Sequence, residues 1–334
     1  MNADFSLVTP PVLSRAAVFR DEALRTDVAR QEAGWPKARL VVVDDQGRTP
    51  VSWDAAVGSG FAVADAGSWD VAHGAGATLK TRATTGATPT EGAVLLGEAD
   101  GVAYWAIRGK PDLVAGDDPS DWADLRMTGT ALDALGAGLF TTAVAVLNWH
   151  DAAQFCARDG SPTHVANAGW HRHCEANGHE EYPRTDPAVI CLVHDGAEGD
   201  DAQVLLARQP VWPEGRFTVL AGFVEGGESL EACVQREIHE EVGVEVTDIR
   251  YLGSQAWPFP RSLMVGFHAV ADPSEPVVPA DGEIAEAMWV TRAELRLALE
   301  RGDWSGKAEP GERLLLLPGK VSIARSMLES WAAS

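Results

Sequence analysis

Residues 221 to 244, AGFVEGGESLEACVQREIHEEVGV, restrict the fold of this chain more than any other stretch. A glycine-rich loop runs directly into a segment with helical periodicity. Leu230, Cys233 and Val234 share one side of that helix, and Ile238 and Val242 extend an apolar surface toward a sheet. Glu237, Glu240 and Glu241 lie three and four residues apart, so at about 100° per residue they fan over roughly a 100° arc. Like charges at that spacing repel. Gly243 stands where helices commonly end in glycine, and Gly222, Gly226 and Gly227 let the backbone turn sharply before the helix begins. Such a face is tolerable as a solvated charged surface. It is equally tolerable as a ligand set for a hard divalent cation, Mg²⁺ or Mn²⁺, which takes oxygen donors.

The chain's 334 residues exceed one ordinary core and suffice for two domains with a small third piece. A formal charge of -22 argues against a protein that coats nucleic acid through a broad basic surface. It leaves room for a phosphorylated substrate where metal ions or a few arginines reverse the local field. No apolar run reaches about 20 residues, so no membrane helix is expected. The start of the chain lacks a basic segment followed by an apolar one, which reads as cytoplasmic. Four cysteines give no disulfide framework, and Cys191 and Cys233, in apolar or helical surroundings, read as buried thiols.

Turn signals and apolar runs divide the chain into residues 1–145, 146–186 and 187–334. In the first part, ARLVVVDDQGRTPV reads as strand, turn, strand, and GAVLLGEADGVAYWAI as a hairpin around Ala99, Asp100 and Gly101. The intervening ATLKTRATTGATPTEG reads as an exposed loop. A helix is expected near 131–155, broken around Gly136 and Gly138. The middle part is loop-rich and holds His164, His171, His173 and His179. The last part alternates strands with helices at 291–302 and 320–333, an α+β pattern that closes as a sandwich.

The fixed positions of residues 222–244 are glycine, five residues, Glu, seven residues, then Arg-Glu-apolar-x-Glu-Glu-x-Gly-apolar. Gly222, Glu228, Arg236, Glu237, Ile238, Glu240, Glu241, Gly243 and Val244 fill them all. This stretch resembles the box of the Nudix hydrolases. The resemblance implies an α/β/α sandwich in which the helix carboxylates hold the metals that activate water and neutralise a diphosphate. By position, Glu237, Glu240 and Glu241 would be ligands, with Glu241 also assisting water deprotonation. Glu228 and Arg236 would hold the loop through an ion pair.

A second motif, SQAWPFPRSLM, resembles the signature that follows the box in the NADH pyrophosphatase (NudC-like) subfamily. Ser254, Gln255, Trp257, Pro258, Phe259, Pro260 and Ser262 match, while Ala256 replaces a proline. Rigid aromatics held by prolines suit a flat ligand. The resemblance implies that Gln255, Trp257, Phe259 and Ser322 contact substrate. Phe223 and Tyr182 would sandwich the nicotinamide, Tyr182 coming from the linker or from the partner of a homodimer. Glu283 would add a metal ligand, with Glu286 the competing assignment. The N-terminal part would serve dimerisation and frame the pocket. The implied activity is hydrolysis of NAD(H) to AMP and a nicotinamide mononucleotide, extending to the NAD cap of RNA 5′ ends, with no membrane partner. The rivals are hydrolysis of ADP-ribose or another nucleotide sugar, and a non-catalytic NAD or ADP-ribose-binding regulator.

Many members of the subfamily carry two Cys-x-x-Cys pairs that bind structural zinc in the linker. Here Asp159 follows Cys156 and Asn177 follows Cys174 at the partner positions. A structural zinc site needs four Cys or His ligands. His171, His173 and His179 are the residues from which a rearranged site would have to be completed. The alternative, a zinc-free loop packed by Trp170 with its histidines at the surface, is the expectation carried forward.

Overall fold

A computed structural model describes residues 5–14, 17–53, 76–112, 118–304 and 314–334. In the first half, strands Arg39–Val43, Arg82–Ala83, Val94–Ala99 and Val102–Arg108 form one four-stranded sheet. Ala77–Leu79, Arg48–Trp53 and Trp122–Asp124 form a second, three-stranded one. The hairpin at Asp100 and Gly101 is present, both residues taking positive φ. The stretch read as an exposed loop instead supplies two short strands, Ala77–Leu79 and Arg82–Ala83, which pair at sheet edges.

The helix Ala134–Ala152 runs unbroken through Gly136 and Gly138. Gly136 serves close packing instead of a break. A Cβ on Gly136 would lie 3.0 Å from Asp133 Oδ1 and 3.4 Å from Leu79 Cβ, and Asp133 caps the helix by accepting from the Gly136 N–H at 2.6 Å. Phe140, Ala143, Val144 and Leu147 of this helix bury themselves against Val41, Val43, Val94 and Ala106 of the four-stranded sheet.

The linker is more ordered than its composition suggests. His164–Ala166, His171–His173 and Glu180–Glu181 form a three-stranded sheet, and His171 and His173 are half-buried. Trp170 donates its Nε1–H to Leu95 O at 2.7 Å, with the Arg25 guanidinium 3.8 Å from its ring.

The last part is built on a mixed sheet in the order Thr247–Trp257, Ser262–Val270, Asp186–His194, Gln203–Arg208, Glu286–Thr291, with Leu220–Phe223 also paired to Asp186–His194. Asp186–His194 and Ser262–Val270 run parallel. Side chains alternate across a strand. Val189, Cys191 and Val193 therefore pack toward the helix Leu230–Val242, whereas Ile190 and Leu192 pack toward the terminal helix Ile323–Ala333. The result is helix, sheet, helix, as the α/β/α expectation required. Burial pushes the Cys233 thiol up to about 12, in keeping with an inert core residue.

Burial outweighs repulsion on the Leu230–Val242 helix. Cys233, Val234, Ile238 and Val242 are buried, and burying one large aliphatic side chain contributes roughly 1.5–3 kcal/mol. A like-charge pair on a helix surface costs only about 0.2–0.5 kcal/mol. The two halves meet along a polar and apolar seam. Val321 packs in the N-terminal core, with Trp257 and Phe259 against it. Among the described residues, no helix is long and apolar enough to cross a membrane.

Candidate active site

Ser229 starts the box helix by accepting from the Ala232 N–H at 3.2 Å, and Gly243, at φ 71°, ends it in the left-handed region. Strand Leu220–Phe223 passes beside this helix. The approach is so close that a Cβ on Gly222 would lie 1.8–2.1 Å from the Glu237 carboxylate.

Arg236 is the hub of the loop. Its Nε and Nη2 meet Glu228 Oε1 and Oε2, both at 2.8 Å. Its Nη1 reaches Glu237 Oε1 at 2.9 Å and Glu240 Oε2 at 3.0 Å, and Nη2 also donates to Phe223 O at 3.0 Å. The fork geometry suits paired carboxylates. Hydrogen bonds from Arg236 and from the Glu225 N–H hold Glu228 down to about 2. The arginine therefore also neutralises part of the repulsion between Glu237 and Glu240.

Glu241 lies apart from that hub. It is 8% exposed, and its buried Oε2 has no hydrogen-bond partner among the described residues. Burial first, then the charges of Glu237 and Glu283, push its carboxyl up to about 8. Burial also raises Glu237. An unpartnered carboxylate oxygen between two further carboxylates calls for a proton or a cation, and the all-oxygen donor set suits Mg²⁺ or Mn²⁺. Of the two candidates in the later segment, Glu283 acts on Glu241, whereas Glu286 lies 3.7 Å from Arg208.

Glu241 lines a cavity of about 300 Å³ together with Trp257 and Ser322. Ser322 also caps the terminal helix, its Oγ accepting from the Ala324 N–H at 3.3 Å. Phe259 stands behind Trp257, edge-on at 5.0 Å, with the Arg126 guanidinium 4.3 Å from its ring. Gln255 is not among the lining residues. It is 1% exposed and spans the seam, accepting from the Leu13 N–H at 3.3 Å and donating to Val321 O at 3.1 Å. Phe223 and Tyr182 are 59% and 60% exposed and lie outside the cavity. Tyr182 donates to Glu180 and turns its ring edge to His171.

Sequence reasoning missed Arg126, Trp212 and Trp304, which also line the cavity. They come from three distant segments, so no local spacing marks them. A tryptophan in a proline-flanked turn was the only available signal, and it reads equally well as packing.

In the linker, Cys156 and Cys174 are buried and free, and they cluster with Asp159. The Asn177 amide N–H donates to Asp159 Oδ2 at 2.7 Å, while its Oδ1 accepts from the His179 N–H at 2.8 Å. His179 Nδ1 lies 3.5 Å from Cys156 Sγ and 3.3 Å from Glu181. Both ends of Asn177 are thus engaged in hydrogen bonds, and an amide nitrogen is not a metal donor. These residues do not fit a four-thiolate zinc site.

Three family models match the chain: the NADH pyrophosphatase-like rudimentary NUDIX domain over residues 32–149, the NADH pyrophosphatase zinc ribbon domain over 151–182, and the NUDIX domain over 184–313. The first of these extends the resemblance into the N-terminal half, where the sequence offered only size and one helix. Over 332 residues the chain is 49% identical to the NAD-capped RNA hydrolase NudC of Mycobacterium tuberculosis, covering 99% of this chain and 97% of that protein. Over 210 residues it is 40% identical to the human mitochondrial NAD(P)H pyrophosphatase NUDT13, covering 62% of this chain and 58% of that protein.

Proposed function

From a chain that belongs to the NADH pyrophosphatase (NudC-like) branch of the Nudix hydrolases, we propose an enzyme that hydrolyses the diphosphate of NAD(H) to AMP and a nicotinamide mononucleotide, including the NAD cap of RNA 5′ ends. The observation that carries this reading is the meeting of Glu241, with its unpartnered buried oxygen, and the Trp257 wall in one cavity. Glu237, Glu240, Glu241 and Glu283 would hold Mg²⁺ or Mn²⁺, which when bound lowers the pKa of water and neutralises the diphosphate. Arg236 fixes Glu237 and Glu240 so that their oxygens stay aimed. Glu241 Oε2, buried at the cavity wall, is placed to take a proton from the attacking water once a bound cation holds the carboxylate in its charged form. Trp257 offers a flat face to a base, and Ser322, which accepts from a backbone N–H, keeps its own hydrogen for donation to substrate. Arg126 and Lys320 bring positive charge to the cavity of a strongly acidic chain. That acidity favours recognition of the cap over the RNA body.

The enzyme is read as a cytoplasmic homodimer. The exposed Phe223 and Tyr182 support that reading, since a second subunit would cover them and complete the nicotinamide sandwich. Incubation with NADH and Mn²⁺ should release AMP and reduced nicotinamide mononucleotide in equal amounts. A folded, metal-loaded protein that leaves NADH intact and cleaves ADP-ribose would overturn the assignment.

The linker is read as a ribbon held without zinc, with the Asn177 to Asp159 hydrogen bond closing the two turns. Metal analysis should find no stoichiometric zinc, and EDTA should move Tm by less than about 2 °C, where a structural zinc would be worth far more. The double variant D159C/N177C should gain about one zinc per chain and become chelator-sensitive. One tightly held zinc in the unmodified protein would refute this.

A further inference from the structure

Trp212 and Trp304 line the same cavity as Glu241 and Trp257, yet the glutamate chemistry has no use for them. Trp212 sits in the turn between strands Gln203–Arg208 and Leu220–Phe223, and Trp304 follows helix Arg292–Glu300. Their ring centroids are 5.0 Å apart with the planes inclined at 50°. The Trp212 backbone and the Trp304 ring are each held from their own side. The Trp212 carbonyl accepts from Arg208 Nη1 at 3.2 Å and its N–H donates to Gln209 O at 3.1 Å. Trp304 Nε1 donates to Phe217 O at 3.5 Å, and the Arg216 guanidinium lies 5.7 Å from its ring centroid.

Mutual packing alone would explain two tryptophans that shield one another from water. These two remain half-buried and present surface to a space next to the reacting centre. At about 300 Å³ the cavity is at the lower end of small-molecule sites. That is room for one nucleoside half, not for a whole dinucleotide. Every nucleobase offers a π-face, and stacking on an aromatic side chain is worth about 1–3 kcal/mol per base, or roughly 5- to 150-fold in affinity.

We propose that Trp212 and Trp304 form a stacking wall for one heteroaromatic base of the substrate, holding that half in the cavity while the diphosphate lies at the glutamates. The proposal rests on the diphosphatase reading and names a base-binding surface outside the signature motif. Adenine and nicotinamide share the required chemistry, and the two product mononucleotides separate them.

The test uses the full-length protein with Mn²⁺ and the variants W212A, W304A, W212F and W304F. KM and kcat are measured for NADH, and inhibition constants for AMP and for nicotinamide mononucleotide. Each alanine variant should raise KM about 5- to 100-fold with a smaller fall in kcat, and each phenylalanine variant should recover most of the loss. One inhibition constant should rise with KM while the other stays put. A shift for AMP places adenine on the wall, in keeping with a nicotinamide held between Phe223 and Tyr182, and a shift for nicotinamide mononucleotide places nicotinamide there and overturns that sandwich. Neither constant moving, or both moving together with kcat and Tm, would reduce the pair to loop packing. If the wild type leaves NADH intact, the diphosphatase reading fails by itself. Direct binding of AMP and of nicotinamide mononucleotide, measured by calorimetry on wild type and variants, still decides the wall.

Discussion

Glu241→Gln should lower kcat for NADH by about 10²- to 10⁴-fold, the range lost with a positioned acid–base group. The substitution keeps the shape of the side chain and removes only its charge and basicity. Glu241 is buried, its Oε2 lacks a partner, and Glu237 and Glu283 both press on it electrostatically. Without metal and above about pH 8, where the raised Glu241 carboxyl is charged, neutralising it relieves repulsion, so the variant should melt at or above the wild-type temperature in EDTA. With Mn²⁺ the order should reverse, because the wild type gains a ligand that the variant has lost. Turnover within about tenfold of wild type would remove Glu241 from the chemistry. A large fall in Tm under both conditions would assign it to the fold.

Gly222→Ala should cost nearly as much activity without touching a charged residue. The new methyl would occupy the space of the Glu237 carboxylate, 1.8–2.1 Å from its three terminal atoms. Those atoms end a flexible side chain, so the backbone can stay while the carboxylate swings away. That motion breaks the 2.9 Å contact with Arg236 and withdraws the proposed metal donor. We expect kcat/KM to fall about 10- to 10³-fold, the Mn²⁺ concentration for half-maximal activity to rise, and Tm to drop by less than about 5 °C. Gly226→Ala is the matched control, since a Cβ there meets nothing within 4 Å. Equal losses in both variants would mean that loop flexibility, not Glu237, had been measured.

Much of this was legible in the sequence because it was local. The box helix carries its cap, its apolar side and its terminal glycine within one stretch. The strand Asp186–His194 reads from its apolar run, although only the structure shows which residues face which helix. Cavity-lining residues were harder because the cavity gathers side chains from segments far apart. Arg126 comes from the first half, Trp212 from a turn and Trp304 from beyond a helix. Gln255 shows the converse limit, since a motif position says nothing about which way an amide points, and this one joins two backbone segments. At Gly136 the sequence supplied a residue that loosens helices in isolation, but close packing against Leu79 keeps the helix continuous.

The seam between the halves divides the labour of the enzyme. The glutamates proposed to act on phosphorus lie mostly on one loop and helix, several of them tied together by Arg236. The walls that would meet a base are assembled from elsewhere, Arg126 among them from the opposite half. Changes at the walls can therefore retune which dinucleotide is accepted while the hydrolytic apparatus stays as it is. The hydrolase half expressed alone would keep its glutamates and lose one side of its selectivity.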